Sequence, residues 1–433
     1  MTTLVAAVPG TVRVQSAPRL FNRNFVLLWQ AQLVSQFGNQ AFTIALMFWT
    51  AEATRSATTS GLVVLAGVLP LIALAPFTGT FADRQRSKKL RIVVSCDLTS
   101  GVLSTLLALG FVVAPGAWRT SMLFAAALLM GVCNAFFDPA VNALAPDLVP
   151  RGQIEAANAF RLSSRQMTTL AAQALGGILY ALVGPAALFL LNGLSFLFAG
   201  ASETLIRPAS ADVPPRPRTD GTHRGRAFVA QTAEGFRYVA GQPGMIGLLV
   251  ATSIFNALLT PVSILLPVYA TGYLHADVRW YGLLLASISA GAVAGYTIIG
   301  AMCSKLTGSS RRSLLIGGYA VFAVALAVLG QVRSHTIALA VLFVTGLLTG
   351  IINVLVISTI QRRTPDAFRG RVLGLHTMMI RVLMPIGLVG GGVVADLTGR
   401  NVPVVYAFCG ALALATATLL ASRRTTRAFL ASS

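Results

Sequence analysis

The sequence predicts an all-α polytopic membrane protein of twelve helical spans, and three observations carry that prediction. Of its 433 residues, 55% are hydrophobic and 11% charged. Soluble domains carry about 25% charged residues, so a soluble chain of this make-up would have little to turn towards water. The apolar residues come in continuous runs of roughly 20, the length of a bilayer-crossing helix, and lack the alternation of a membrane β-barrel. The basic residues give a net charge of +20. They sit in short clusters between the apolar runs, a pattern that fits membrane orientation and not nucleic-acid binding.

Taken in order, residues 1–22 form a polar tail. Spans are expected at about 25–49, 58–82, 90–113, 120–143, 159–182 and 186–206, the last two separated by a tight turn at Gly184-Pro185. Residues 207–242 break the pattern with Pro208, Pro214, Pro215, Pro217 and several Arg, the composition of a flexible linker. Its end, about 227–239, sets Phe228, Val229, Phe236 and Val239 around Glu234 and Arg237. That spacing suits an amphipathic helix on the membrane surface, and equally a solvated connector. Spans 7 to 12 are expected at about 245–271, 280–303, 313–332, 336–360, 372–395 and 402–421. The division is an N-tail at 1–22, a six-helix bundle at 23–206, the linker at 207–242, a second six-helix bundle at 243–421 and a C-tail at 422–433.

Alternate loops differ sharply in charge. Of the 33 Lys and Arg, 27 fall on one side, five on the other, and Arg381 lies inside an apolar run. The positive-inside rule then puts both termini in the cytoplasm and the chain in the cell (cytoplasmic or inner) membrane. The halves also repeat. Gly79 and Asp83 match Gly300 and Ser304, and Pro150-Arg151-Gly152 matches Pro365 followed by Arg369-Gly370-Arg371, at offsets of about 221 and 215. Two duplicated halves rocking about a midplane site is an alternating-access plan.

Several chemistries find no support. Cys96, Cys133, Cys303 and Cys409 lack metal-ligand spacing and read as small buried hydrophobes. No phosphate-cradling Gly-Lys-Ser/Thr loop points to ATP. No catalytic set stands out, so no enzyme and no cofactor are expected. Residues 1–20 have no sustained apolar core with a cleavage site, so targeting is expected from the first span.

Charged and polar groups inside spans are expensive and so point to function. Asp97 in span 3, Asp138 in span 4, and His376 and Arg381 in span 11 are such groups. Asp97 reads either as a proton carrier or as the buried partner of a cation such as Arg165. Asp138 reads as a proton carrier or as a partner for loop arginines. Arg381 reads as an anion site in the cavity or as half of a structural ion pair. Glu203 and Asp396 lie at span ends and are expected to be solvated. In span 1, Gln32, Gln36 and Asn39 belong to a polar stripe that binds a ligand or joins helices.

The basic loop Gly79-Thr80-Phe81-Ala82-Asp83-Arg84-Gln85-Arg86-Ser87-Lys88-Lys89 resembles the signature loop between spans 2 and 3 of the major facilitator superfamily, with Arg86 or Ser87 where a loop Gly is usual. Three more stretches are similar to the twelve-span drug:proton antiporter branch, which includes the enterobactin exporter and macrolide efflux proteins. They are Phe21-Asn22-Arg23-Asn24-Phe25 leading to Gln36-Phe37-Gly38, Phe137-Asp138-Pro139 through Pro150 to Asn158, and Gln361-Arg362-Arg363-Thr364-Pro365 through Arg371. The resemblance implies the major facilitator fold, two pseudo-symmetric six-helix bundles, and proton-driven export of a small amphipathic molecule such as a drug, antibiotic or siderophore. The expected partners are the lipid bilayer, the small-molecule substrate and protons, with no nucleic acid and a working monomer. Gly79 and Asp83 share a helix face, and the Asp can meet the positive N-terminus of a neighbouring helix. The resemblance makes that neighbour span 11. Gly79, Asp83, Arg84, Arg86 and Lys88 are therefore a candidate conformational latch. Branch members often carry an acid after the span-1 Gly, but Gly38 is followed by Asn39, which leaves Asp97 and Asp138 as proton-coupling candidates. Gly176-Gly177 remain of the span-5 antiporter motif, with Ala172-Gln173 in place of Gly-Pro. The competing readings are a nutrient importer or facilitator of the same fold and, from another class, a non-transporting membrane sensor.

Overall fold

The computed structural model describes residues 21–74, 78, 89–150, 153–207, 234, 236–302, 306–423 and 429. They form long helices. In the first half these are α1 (Arg23–Thr54), α2 (Ala57–Ala73), α3 (Lys89–Val113) and α4 (Gly116–Leu144), followed by the continuous run Ile154–Thr204. That run is two spans, α5 (154–183) and α6 (185–204), because Gly184 sits at φ 74 and reverses the chain at one residue. A side chain is strained in that left-handed region and glycine is not. The second half holds α7 (Pro243–Val268, extended by a π-turn Tyr269–Tyr273), α8 (Val278–Met302), α9 (Gly308–Leu329), α10 (His335–Arg363), α11 (Asp366–Leu397) and α12 (Val402–Ser422). The chain is an all-α polytopic membrane protein. Among the described residues, nine continuous helical runs, one of them the α5–α6 pair, are long and apolar enough to cross a bilayer. The polar stripe of α1 lowers its hydropathy, and the described part of α2 has 17 residues. Residues 75–77 and 79–82 of span 2 and the whole candidate latch, Gly79, Asp83, Arg84, Arg86 and Lys88, lie outside the described residues.

Local chemistry sets the helix ends. Asn22 accepts a hydrogen bond from the Phe25 amide at 3.0 Å, and its own side-chain amide donates to the Leu148 carbonyl at 2.7 Å, tying the start of α1 to the short turn Ala145–Leu148 that follows α4. Ser56 caps α2 through the Thr59 amide at 3.1 Å, and Thr307 caps α9 through the Ser310 amide at 3.3 Å. Such caps satisfy amides that a helix start leaves without partners.

Helix neighbours repeat between the halves. In the first half α1 packs on α5 and α6, α3 on α6, and α2 on α4; in the second, α7 packs on α11 and α12, α9 on α12, and α8 on α10. The halves join along α2 with α11 and α5 with α8. The core of the second half is rich in buried tyrosines whose hydroxyls are satisfied, Tyr406 by Val262 O at 3.1 Å and Tyr269 by Val332 O at 2.9 Å. Large apolar residues such as Leu106, Leu109, Phe198 and Phe408 are exposed on the outer helices, as a lipid-facing belt requires. At the end of the linker, the described residues 236–240 are helical. Val239 is buried, Tyr238 stacks on Phe368 at 4.9 Å, and Glu234 pairs with Arg371 at 2.8 Å, so this turn docks on α11.

Candidate functional site

The two halves touch at the end of the molecule poor in basic residues. There Asp396, on the last turn of α11, reaches the N-terminus of α2. Its carboxylate accepts from the Ala57 amide at 2.9 Å, the Thr58 amide at 3.0 Å and the Ser56 hydroxyl at 2.8 Å. A carboxylate on a helix N-terminus gains from both the unpaired amides and the helix dipole. Solvation was the expectation for Asp396 from its position alone; the fold instead brings a helix start against it. Nearby, Arg400 donates to the Ala51 carbonyl at 3.3 Å. On the other seam, Gly177 of α5 meets Gly282 of α8. A methyl group on Gly177 would lie 2.8 Å from the Val278 carbonyl and 2.9 Å from the Gly282 amide nitrogen, so only glycine lets these backbones approach. Gln173 and Ser289 hydrogen-bond one turn further in. Between the seams, Tyr281 of α8 is wholly buried, bonds the Met47 sulfur at 3.5 Å and lies 5.8 Å from Phe48, which in turn lies 4.9 Å from Tyr180. Aromatic rings from both halves close this end.

Towards the end rich in basic residues, the first half encloses a cavity of about 530 Å³. It runs from Trp29 and Asn142 to Asn39, halfway along α1. Gln32, Gln36, Asn39 and Asp138 line it together, as does Asn134. So do Arg161 and Arg165 of α5. The charge tally places those two arginines with the loop between spans 4 and 5. The helix begins earlier than the apolar run, at Ile154, and carries them inward. Arg161 donates from Nε to Gln32 Oε1 at 3.2 Å. Asp138 acts on Arg161 electrostatically and forms no ion pair with any described residue. Trp29 Nε1 and Gln32 Nε2 are buried without a hydrogen-bond partner. Leu33, Phe137, Leu162 and Phe196 supply apolar wall.

Three residues singled out from the sequence lie elsewhere. His376 is buried, its Nε2 without a partner. Arg381 is exposed, and neither residue lines the cavity. Asp97 is 2% exposed, between α3 and α6, and its neighbour there is Glu203 and not Arg165. Glu203, expected to be solvated, is fully buried, and neither of its carboxyl oxygens has a hydrogen-bond partner. The close α3–α6 contact encloses what chain position suggested was a free end. Among the described residues, the second half has a smaller hollow of about 20 Å³ between α7, α9 and α10, around Thr252, Asn256 and Tyr319.

Comparisons with known proteins agree with this architecture. Residues 15–432 match the family described as transmembrane secretion effector. The chain is similar to macrolide efflux protein A of Streptococcus pyogenes, at 23% identity over 87% of this chain and 90% of that one. It is similar at the same identity and coverage to the multidrug efflux pump Tap of Mycolicibacterium fortuitum. It is also similar to the enterobactin exporter EntS of Citrobacter koseri, at 27% identity over 69% of this chain and 68% of that one. Among solved structures, a bacterial homologue of the iron transporter ferroportin, described as inward-facing, superposes with a TM-score of 0.71 at 18% identity, covering 93% of this chain and 99% of that one. At that identity the likeness speaks to fold alone. A bundle pair joined along α2–α11 and α5–α8, with a polar cavity on one side of the seam and a family match over nearly its whole length, makes this chain a member of the transmembrane secretion effector family of major facilitator transporters, which are not enzymes.

Proposed function

We propose that this protein exports a small amphipathic molecule by proton antiport, with the first-half cavity as the substrate site. The observation that carries the reading is the contrast between the two ends. One is sealed by Tyr281, Phe48 and the Asp396 clamp, and the other gives onto a polar cavity. With both termini in the cytoplasm, as the basic residues favour, this is the cytoplasm-open arm of an alternating-access cycle in the cell membrane. The relatives described as efflux proteins support the outward direction. Opening the sealed end requires breaking the Asp396–α2 contacts. In the opposite state, the Asp83 loop would clasp the basic-rich end, with Gly79 allowing the approach and Arg84, Arg86 and Lys88 beside it.

The driving ion is a proton, with Asp97 as the first candidate carrier and Asp138 as the second. Asp97 and Glu203 stand side by side without a cation opposite, an arrangement that can exchange a proton, and each inward-moving charge supplies roughly 2.3 kcal/mol per 100 mV. The reading is tested in everted vesicles with an acid lumen, using amphipathic dyes of either charge. Export predicts dye uptake that stops when an ionophore collapses the pH gradient. Uptake indifferent to the gradient would indicate a facilitator and defeat the antiport reading. The carrier is the residue whose Asn variant, Asp97→Asn or Asp138→Asn, keeps dye counterflow but loses gradient-driven uptake.

A further inference from the structure

We infer that the first-half cavity is built for an amphipathic organic anion, gripped by Arg161 with Arg165 beside it and Trp29 and Gln32 completing a set of donors. The inference deepens the reading of this cavity as the substrate site and rests on it.

Formal charge is the first support. Among the described residues the lining holds two guanidinium groups and one carboxylate, Asp138, an excess of positive charge. The donors are the second. Gln32 Oε1 is occupied by Arg161 Nε, which turns the amide nitrogen of Gln32 away from that bond, and this nitrogen is buried with no acceptor. The indole nitrogen of Trp29, on the same wall, is likewise buried with no acceptor. A buried donor without an acceptor is costly, and a ligand in this cavity that reached either nitrogen with an acceptor would relieve that cost. The fork of Arg161 is the third. With Nε engaged by Gln32, its Nη groups have no hydrogen-bond partner among the described residues. A guanidinium oriented through Nε offers the remaining pair of N–H groups in the planar geometry that a carboxylate or similar oxyanion accepts. Leu33, Phe137, Leu162 and Phe196 provide the surface for an apolar body attached to that headgroup. A cationic solute would meet two arginines against one Asp138, and like charges at close quarters exclude the wrong partner.

The experiment measures equilibrium binding of two dyes of similar ring system and opposite charge, anionic fluorescein and cationic rhodamine 123, to the purified full-length protein in lipid nanodiscs by fluorescence polarisation. Fluorescein is expected to bind at least about tenfold more tightly than rhodamine 123. Arg161→Gln is expected to weaken fluorescein binding by at least about tenfold, the scale of one lost charge-assisted contact. Asp138→Asn, which removes the opposing charge, is expected to strengthen fluorescein binding by roughly threefold and weaken rhodamine 123. Arg161→Lys keeps the charge without the fork and is expected to fall between wild type and Arg161→Gln, and each variant's thermal unfolding is compared with wild type to set aside misfolding. Rhodamine 123 binding as tight as fluorescein, or fluorescein binding unmoved by both Arg161 variants, overturns the inference. Binding does not depend on transport. Normal anion binding with no vesicle uptake would defeat the exporter reading and leave this one standing, and vesicle transport selective for cations would do the reverse.

Discussion

The two halves of the molecule place a proline before the corresponding helices α5 and α11 and carry different chemistry along them. Counting eleven residues from Pro150 reaches Arg161, and counting eleven from Pro365 reaches His376. Arg161 stands in the wall of a 530 Å³ cavity, while His376 is 5% exposed and lies outside the 20 Å³ hollow of its own half. The scaffold has been duplicated, but its interior has not. In the second half Phe255 fills the space together with Tyr319 at 4.0 Å and Phe322 at 5.3 Å. In the first half the same depth is left to amides and guanidinium groups. Around Phe255 the second half is packed solid, where the first half holds its cavity.

The strongest way to break this comparison is to exchange its key residue. His376→Arg puts the Arg161 side chain into the closed half, where a buried cation has no counter-ion. We expect destabilisation of more than about 4 kcal/mol, read as loss of folded protein in detergent. If the variant folds normally, the second half is not the solid body described here. Next comes the seam. Gly177→Leu cannot keep the α5–α8 approach, and transport should fall more than about tenfold. A cysteine placed at Phe48 should then become reactive to a membrane-impermeant maleimide from outside, as it would not in the parent. Asp396→Ala removes three charge-assisted hydrogen bonds from the clamp, worth about 1.5–3 kcal/mol together once water competes. That should raise the same maleimide labelling by roughly ten- to a hundredfold at equilibrium, with the fold intact. The smallest effect belongs to Tyr319→Phe. It deletes one hydroxyl bonded to Thr252 at 2.7 Å and should cost about 1 kcal/mol in thermal unfolding, without altering dye binding in the other half.

Much of the cavity was legible in the chain. The glutamines of α1 and Asp138 stand out because polar groups inside apolar runs have no cheap explanation. Arg161 was passed over and Arg165 was read only as a partner for Asp97, since a cation near a span end reads as a loop residue until the helix start is known. Asp396 and Glu203 looked solvated for the same reason. Arg381 looked like the anion site because it is an isolated charge in an apolar run. Its helix leaves it exposed and outside the lining of that cavity, and sequence periodicity does not say which helix covers which face.

By itself, the amino-acid sequence determined that the chain crosses a membrane repeatedly, where it turns, which loops carry the positive charge, and that its halves are copies. Each of these follows from transfer free energies and local turn chemistry, summed over neighbours along the chain. Only the tertiary structure decided which polar residues share a cavity, that this cavity lies in the first half, and that Asp396 clamps the start of α2. Those depend on how each helix is rotated and tilted against its partners. Side-chain interlocking fixes that between residues as much as 340 positions apart, and no short window of sequence records it.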